Sequence, residues 1–258
     1  MPRTTPATTT TPAPSAFRSP LLTQSPVDIR AQDTYPCALP PLRFHHPTGL
    51  DLRLHFDGPG RRRPESGPRR SGRAGCVRDD EGAVKAEPPP GEECLLRVGS
   101  DRYELVDVHW HMPSEHTVGG VAFPMEQHMK YRRVTDDVGP AEAGDSGYTV
   151  VGVFVHPGQA NDSLDRLLTS ARRDERPWAV PDVELDALLP PCTESYRYLG
   201  STTVCPYTPG VRWNLLTHPV QVSVTALAHY RRLFPRGNAR AVQPLGDRRI
   251  AVDRHRWW

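Results

Sequence analysis

The chain has 258 residues and a formal net charge of only +2. That balance argues against a dedicated nucleic-acid binder, which carries a large basic excess, and no run approaches 18 apolar residues, so no transmembrane helix is expected. Apolar content is 37%, with 29 Pro and 20 Gly, and even with Gly added it stays below the ~45–50% usual for a globular chain, so part of the length has little to bury.

Residues 1–23 are Thr/Pro-rich and read as a disordered or extended tail. The tail lacks an apolar core flanked by basic residues, so it shows no evident secretory signal. Leu50–Phe56 alternates apolar and polar residues, the pattern of a half-buried strand. A second low-complexity stretch spans about 59–93, where Arg61-Arg62-Arg63, Arg69-Arg70 and Pro88-Pro89-Pro90 precede or interleave with acidic residues. It reads as a solvated insertion. Tyr103–His111 alternates again, and Tyr148–Val155 is a β-branched run suited to a strand covered on both faces. Helical patterns are confined to Ser163–Arg172 and Leu185–Leu189, and Arg212–Leu216 and Val220–Val224 read as two further strands. The expectation is a mainly β chain: the tail, then one domain over 24–258 carrying the insertion.

The chemistry concentrates in residues 106–133, VDVHWHMPSEHTVGGVAFPMEQHMKYRR. Side chains at i and i+2 of a strand share a face. His109 and His111 therefore project together beside Asp107, with Val108 and Trp110 opposite. Gly119-Gly120 permits a turn, and a strand over about Met125–Tyr131 sets Glu126, His128 and Lys130 on one face. If the two strands are neighbours, three imidazoles converge. Three neutral histidines with one open position form a catalytic zinc arrangement. Asp107 and Glu126 are spaced to accept ring N–H bonds and fix the tautomers from behind the ligands.

This segment resembles the α-type carbonic anhydrases, whose signature is H-x-H, then S-E-H-T-V, then E-x-H. Here these are His109-Trp-His111, Ser114-Glu-His-Thr-Val118 and Glu126-Gln-His128. Further stretches resemble the family in order: Gln24-Ser-Pro-Val-Asp-Ile29, Val150-Val-Gly-Val-Phe154, Tyr198-Leu-Gly-Ser-Thr-Thr203, Gly210-Val-Arg-Trp213 and Asn238-Ala-Arg-Ala-Val-Gln-Pro-Leu245. The likeness covers about 24–58 and 95–250. It implies one domain built on a large, mostly antiparallel twisted sheet with small peripheral helices. It also implies Zn2+ on His109, His111 and His128, and reversible hydration of carbon dioxide to bicarbonate and a proton by a zinc-bound hydroxide. By resemblance Thr203 accepts the hydroxide's hydrogen bond and donates its own proton to Glu115. Val150, Val211 and Trp213 would line the substrate pocket, with Thr202 and Lys130 beside them, and His116 and Tyr198 would be a buried structural pair. The alternatives are a zinc esterase and a binding protein of the same fold with weak or no turnover.

Several positions depart from the family pattern. Residues 1–23 do not resemble its N-terminal segment. Pro59 stands where many relatives carry a proton-shuttling histidine, and His55 lies four residues early, open to either face. Slow, buffer-dependent turnover is therefore expected. Lys130 and Thr202 replace aliphatic residues of the carbon dioxide pocket. Five cysteines leave at least one without an intramolecular partner; Cys205 could pair with Cys37 or Cys192, and Cys76 with Cys94. With the sequon Asn161-Asp-Ser163, these features favour an extracellular or lumenal, disulfide-bonded protein over a cytoplasmic one.

Overall fold

The computed structural model describes residues 23–58, 82–134, 144–174 and 176–253. The Thr/Pro tail up to 22, the Arg-rich part of the insertion, Pro59 and Cys76 lie outside them. In chain order the strands begin with β1 (Asp28–Ile29), β2 (Thr34–Cys37), β3 (Leu42–His45), β4 (Leu50–Asp57), β5 (Ala83–Glu87) and β6 (Leu95–Val98). Then come β7 (Asp101–His111), β8 (Thr117–Val118), β9 (Val121–Ala122), β10 (Met125–Arg133) and β11 (Tyr148–Pro157). Helix α1 (Asp162–Ser170) precedes β12 (Trp178–Val183), β13 (Ser195–Ser201), β14 (Pro209–Leu216) and β15 (Val220–Val222); helix α2 (Val224–Leu233) and β16 (Ile250–Asp253) close the described chain.

Thirteen strands form one mixed sheet with the central order β12-β4-β5-β7-β10-β11-β14-β13-β16-β2. Most pairs are antiparallel, and β11 runs parallel to β14 and β15, as β16 does to β2. The architecture is the mainly β fold with small peripheral helices that the residue pattern implied. Period-two alternation assigns the two faces. Val108 and Trp110 of β7, Met129 and Tyr131 of β10, and Val151 and Val153 of β11 join one core, which α1 and α2 cover with Leu164, Leu167, Leu168, Leu227 and Tyr230. On the other face a smaller cluster gathers Val27, Val150, Phe154, Tyr198, Val211, Trp213 and Leu215. The central strands are thus buried twice over, which is why Tyr148–Val155 is a nearly continuous apolar run broken only by Thr149.

Four expectations need correction. Val224 does not end a strand: it opens α2, whose N-cap Ser223 accepts from Ala226 N–H. The weak helical signal at Leu185–Leu189 is a 3-10 turn over Leu185–Leu188. The insertion is shorter than 59–93, because Ala83–Glu87 is a strand set between β4 and β7. Cys37, Cys94 and Cys192 are free thiols, so neither a Cys205 bridge to Cys37 or Cys192 nor a Cys76–Cys94 bridge forms. Cys94 is fully buried, and that burial pushes its thiol up to about 11. Asn161 of the sequon caps α1, its side chain accepting from Leu164 N–H at 3.1 Å and donating to the Ala187 carbonyl at 2.6 Å.

Candidate metal centre

The register of β7 against β10 brings the histidines together. His109 pairs with His128, His111 with Glu126, and Asp107 with Lys130. Gly119 and Gly120 lie between the two strands at φ +60 and +82, where β8 turns into β9, a backbone region that favours glycine. Ring centroids of the three histidines are 4.7–5.2 Å apart. One nitrogen of each lies within 4.8 Å of the other two. Gly152, facing His128 from β11, leaves room for this packing. A Cβ there would meet Leu215 Cδ1 at 2.5 Å and crowd Glu126 Oε1 at 3.2 Å.

The outer partner of each ring decides its tautomer. His109 Nδ1 lies 2.5 Å from Asp107 Oδ1, His111 Nδ1 lies 3.1 Å from the Asn238 carbonyl, and His128 Nε2 lies 2.8 Å from Glu126 Oε1. A carbonyl or ionised carboxylate only accepts, so each of those nitrogens carries the hydrogen. The inner nitrogens, His109 Nε2, His111 Nε2 and His128 Nδ1, are then lone pairs facing one another. Two of them are 3.3 Å apart, and buried His111 Nε2 has no hydrogen-bond partner. Three converging lone pairs repel unless a cation sits among them. A three-imidazole donor set with outer acceptors fits a divalent zinc ion.

The electrostatics favour neutral rings at His109 and His111 and pull His128 toward its protonated form, so a cation at His128 Nδ1 would have to displace a proton. Burial holds His109 and His111 below the usual imidazole range, His109 at about 3, so both stay neutral as ligands must. Burial would also lower His128, but the Glu126 and Glu115 carboxylates outweigh it and hold His128 above its ordinary value. Burial would raise Asp107 and Glu126. His109 and Lys85 instead pull Asp107 down, and His116 and His128 pull Glu126 far down, so both remain acceptors.

Glu126 is the hub of the wall behind the triad. Its second oxygen accepts the His116 N–H at 2.8 Å, and its first lies 2.7 Å from His116 Nδ1. His116 Nε2 lies 2.6 Å from the Tyr198 hydroxyl, which reaches Ser25 Oγ at 2.8 Å. His116 and Tyr198 are therefore a buried pair, with burial pushing the Tyr198 phenol upward. Glu115 is buried, and its Oε1 accepts Arg240 N–H at 2.7 Å. Its Oε2 has no hydrogen-bond partner and lies 3.9 Å from His128 Nδ1. Thr203 is buried nearby in sequence order after β13, but no hydrogen bond joins it to Glu115 among the described contacts. Thr202 spends its hydroxyl inside its own loop, donating to the Val204 carbonyl and accepting from Thr208 N–H.

Lys130 sits in the row Asp107–Lys130–Val150–Trp213 across four strands, so it shares a face with the apolar residues expected to line the pocket. Val211, two residues before Trp213 on β14, is fully buried in the same cluster. Burial lowers the Lys130 ammonium, and the Asp107 charge partly restores it. Its Nζ lies 4.3 Å from the Tyr148 ring centroid. An exposed cation–π contact contributes about 0.5–1 kcal/mol, less than the several kcal/mol that desolvating an ammonium costs, so the Asp107 charge does most to hold Lys130 there.

One residue beside the site, Lys85, has no signal in the sequence, and the face of His55 is now fixed. Lys85 of β5 pairs with His109, and its Nζ reaches Asp57 Oδ2 at 2.5 Å. His55 pairs with Lys85. His55, Lys85, His109 and His128 thus form one cross-strand row, and His55 faces the same side as the triad. Strict alternation from buried Leu50, Leu52 and Leu54 carried that signal.

The family model for eukaryotic-type carbonic anhydrases matches residues 90–254. The chain belongs to the eukaryotic-type, or α-type, carbonic anhydrase family. Among its relatives, a carbonic anhydrase of Pectobacterium carotovorum is 31% identical over 169 residues, covering 65% of this chain and 64% of the relative. One of a Nostoc species is 31% identical over 173 residues, covering 65% and 60%. The chain therefore spans under two thirds of the length of these relatives. The α-carbonic anhydrase of Thermovibrio ammonificans, solved with the inhibitor sulfanilamide, superposes with a TM-score of 0.69 at 26% identity, over 89% of this chain and 87% of that one. That of Photobacterium profundum has the same fold, with a TM-score of 0.68 at 24% identity over 89% of each chain.

Proposed function

We propose that this chain catalyses the zinc-dependent, reversible hydration of carbon dioxide to bicarbonate and a proton. The observation that carries the reading is the set of three inward lone pairs, fixed by Asp107, the Asn238 carbonyl and Glu126. Zinc held there would bring the pKa of a bound water to ≈ 7 and so supply hydroxide at neutral pH, the value known for carbonic anhydrases. His109, His111 and His128 are the proposed ligands. Asp107, Asn238 and Glu126 keep the rings in register, and Val150, Val211 and Trp213 offer an apolar wall to a small neutral substrate. Thr203 and Glu115 are the proposed orienting pair for the attacking oxygen. Glu115 Oε2, buried and without a partner, is the acceptor that the Thr203 hydroxyl would use. An extracellular or lumenal setting belongs to the same proposal and rests on the Thr/Pro-rich N-terminal stretch; culture-medium fractionation of the native protein checks it.

Lys130 favours a second reading, in which the fold holds zinc but turns over weakly. An ammonium beside Val150 and Trp213 disfavours an apolar substrate. Lys130→Val should remove about 1 kcal/mol of that cost, so kcat/KM for carbon dioxide should rise about fivefold. An unchanged value would place the lysine outside the substrate's path. Steady-state assays with carbon dioxide and with an activated ester, each with and without a sulfonamide, separate the readings. The proposed function requires sulfonamide-sensitive hydration of carbon dioxide. Ester cleavage alone would establish a zinc esterase, and neither activity would establish a binding protein.

A further inference from the structure

We propose that the chain carries a second metal site, formed by Cys192, Glu194 and His218, that takes a thiophilic divalent cation of the zinc class. One donor atom from each of these side chains lies within 4.8 Å of the other two. None of the three belongs to the histidine centre. They sit where β13 meets β14, and β13 is the third strand from β10, about 14 Å across the sheet at ~4.8 Å per strand.

The backbone already holds the two segments together. Ser195 pairs with Leu216 at the start of the β13/β14 ladder. Just beyond it, Thr217 N–H donates to the Glu194 carbonyl at 2.9 Å, and the Thr217 hydroxyl donates to the same carbonyl at 3.3 Å. That hydroxyl, its hydrogen spent, accepts from His218 Nδ1, 3.0 Å away. The hydrogen on Nδ1 leaves Nε2 as a lone pair, the same logic by which outer acceptors orient metal-binding histidines. Cys192 is a free, half-buried thiol, and His218 is exposed.

The donor set selects the ion. A thiolate, a carboxylate and a neutral imidazole balance a 2+ charge, and sulfur favours zinc or cobalt over magnesium or calcium. Zn–S near 2.3 Å and Zn–N or Zn–O near 2.1 Å give tetrahedral edges of about 3.3–3.7 Å. From within 4.8 Å of one another the donors need close by at most about 1.5 Å, which partly exposed side chains reach by rotation. Water would complete the fourth position. The ion would clamp the entry to β13, the strand that carries Tyr198, Gly200 and Ser201 toward Thr203.

Cobalt(II) titration of metal-stripped protein tests the site without any activity assay. The three-histidine centre contains no sulfur, so it gives no thiolate-to-cobalt charge-transfer band. Wild type should bind two equivalents and develop that near-ultraviolet band with one of them. Cys192→Ser should bind one equivalent and show no band. His218→Ala, an exposed substitution that leaves the thiol in place, should weaken the band-forming equivalent at least tenfold and leave the other unchanged. A single equivalent without the band in wild type would overturn the proposal. So would a band that survives Cys192→Ser, or an affinity unmoved by His218→Ala.

Discussion

Replacing His128 by alanine is expected to remove zinc from the histidine centre and drop carbon dioxide hydration to the buffer rate, a loss on the order of 10^4-fold or more. The size follows from its position. His128 supplies one of the three inward lone pairs and is also the ring that Glu126 grips from behind at 2.8 Å. Its removal leaves a two-histidine set with an open side. The fold should survive, because Glu126 still holds His116 through the backbone N–H and the ring, and the sheet pairing of β10 runs through main-chain groups. Circular dichroism and a melting curve of the variant check that point. A variant that keeps full hydration would show that the reaction uses other residues.

Glu115→Gln is expected to cost about 100-fold in kcat, the scale on which a lost positioning contact at a metal or oxyanion site is felt. In the proposed pair an ionised Glu115 could only accept, and so would take the Thr203 hydroxyl's hydrogen; a glutamine could turn its NH2 group inward and reverse that direction. Thr203→Ala should cost a similar factor, while Thr203→Ser retains most of the rate. The two residues act as one unit in this account, so the double variant should be little worse than either single one. Multiplying losses would mean that Thr203 and Glu115 act separately. The structure adds a reason to test the pair directly, since Glu115 Oε2 stands without a partner and no bond to Thr203 is formed.

What could be read from sequence depended on the range of the interaction. Alternation is local, so the shared face of His109 and His111, and the burial of Val108 and Trp110 behind them, were legible from spacing alone. The pairing of His109 with His128 is a contact across strands. No spacing dictates it, and family likeness supplied it. Lys85 was lost because β5 is a five-residue strand beside Pro88-Pro89-Pro90, and only its long-range pairing with β4 and β7 stabilises it. Helix α2 was hidden by its opening Val-Thr, which reads as a continued strand; its local signals were the Ser223 cap, the helical spacing of Ala226, Leu227 and Tyr230, and the basic last turn. Cysteine pairing depends on the three-dimensional approach of two Cβ atoms, so the odd count could warn of a free thiol but could not name Cys37, Cys94 and Cys192 as three of them.

The central claim is that the three inward nitrogens hold the zinc that hydrates carbon dioxide. Stopped-flow hydration on metal-stripped and zinc-restored protein tests it most directly. The account predicts activity that vanishes with the metal, returns on adding zinc to wild type, and does not return in His128→Ala. Zinc-replete wild-type protein that hydrates carbon dioxide no faster than the buffer would contradict it.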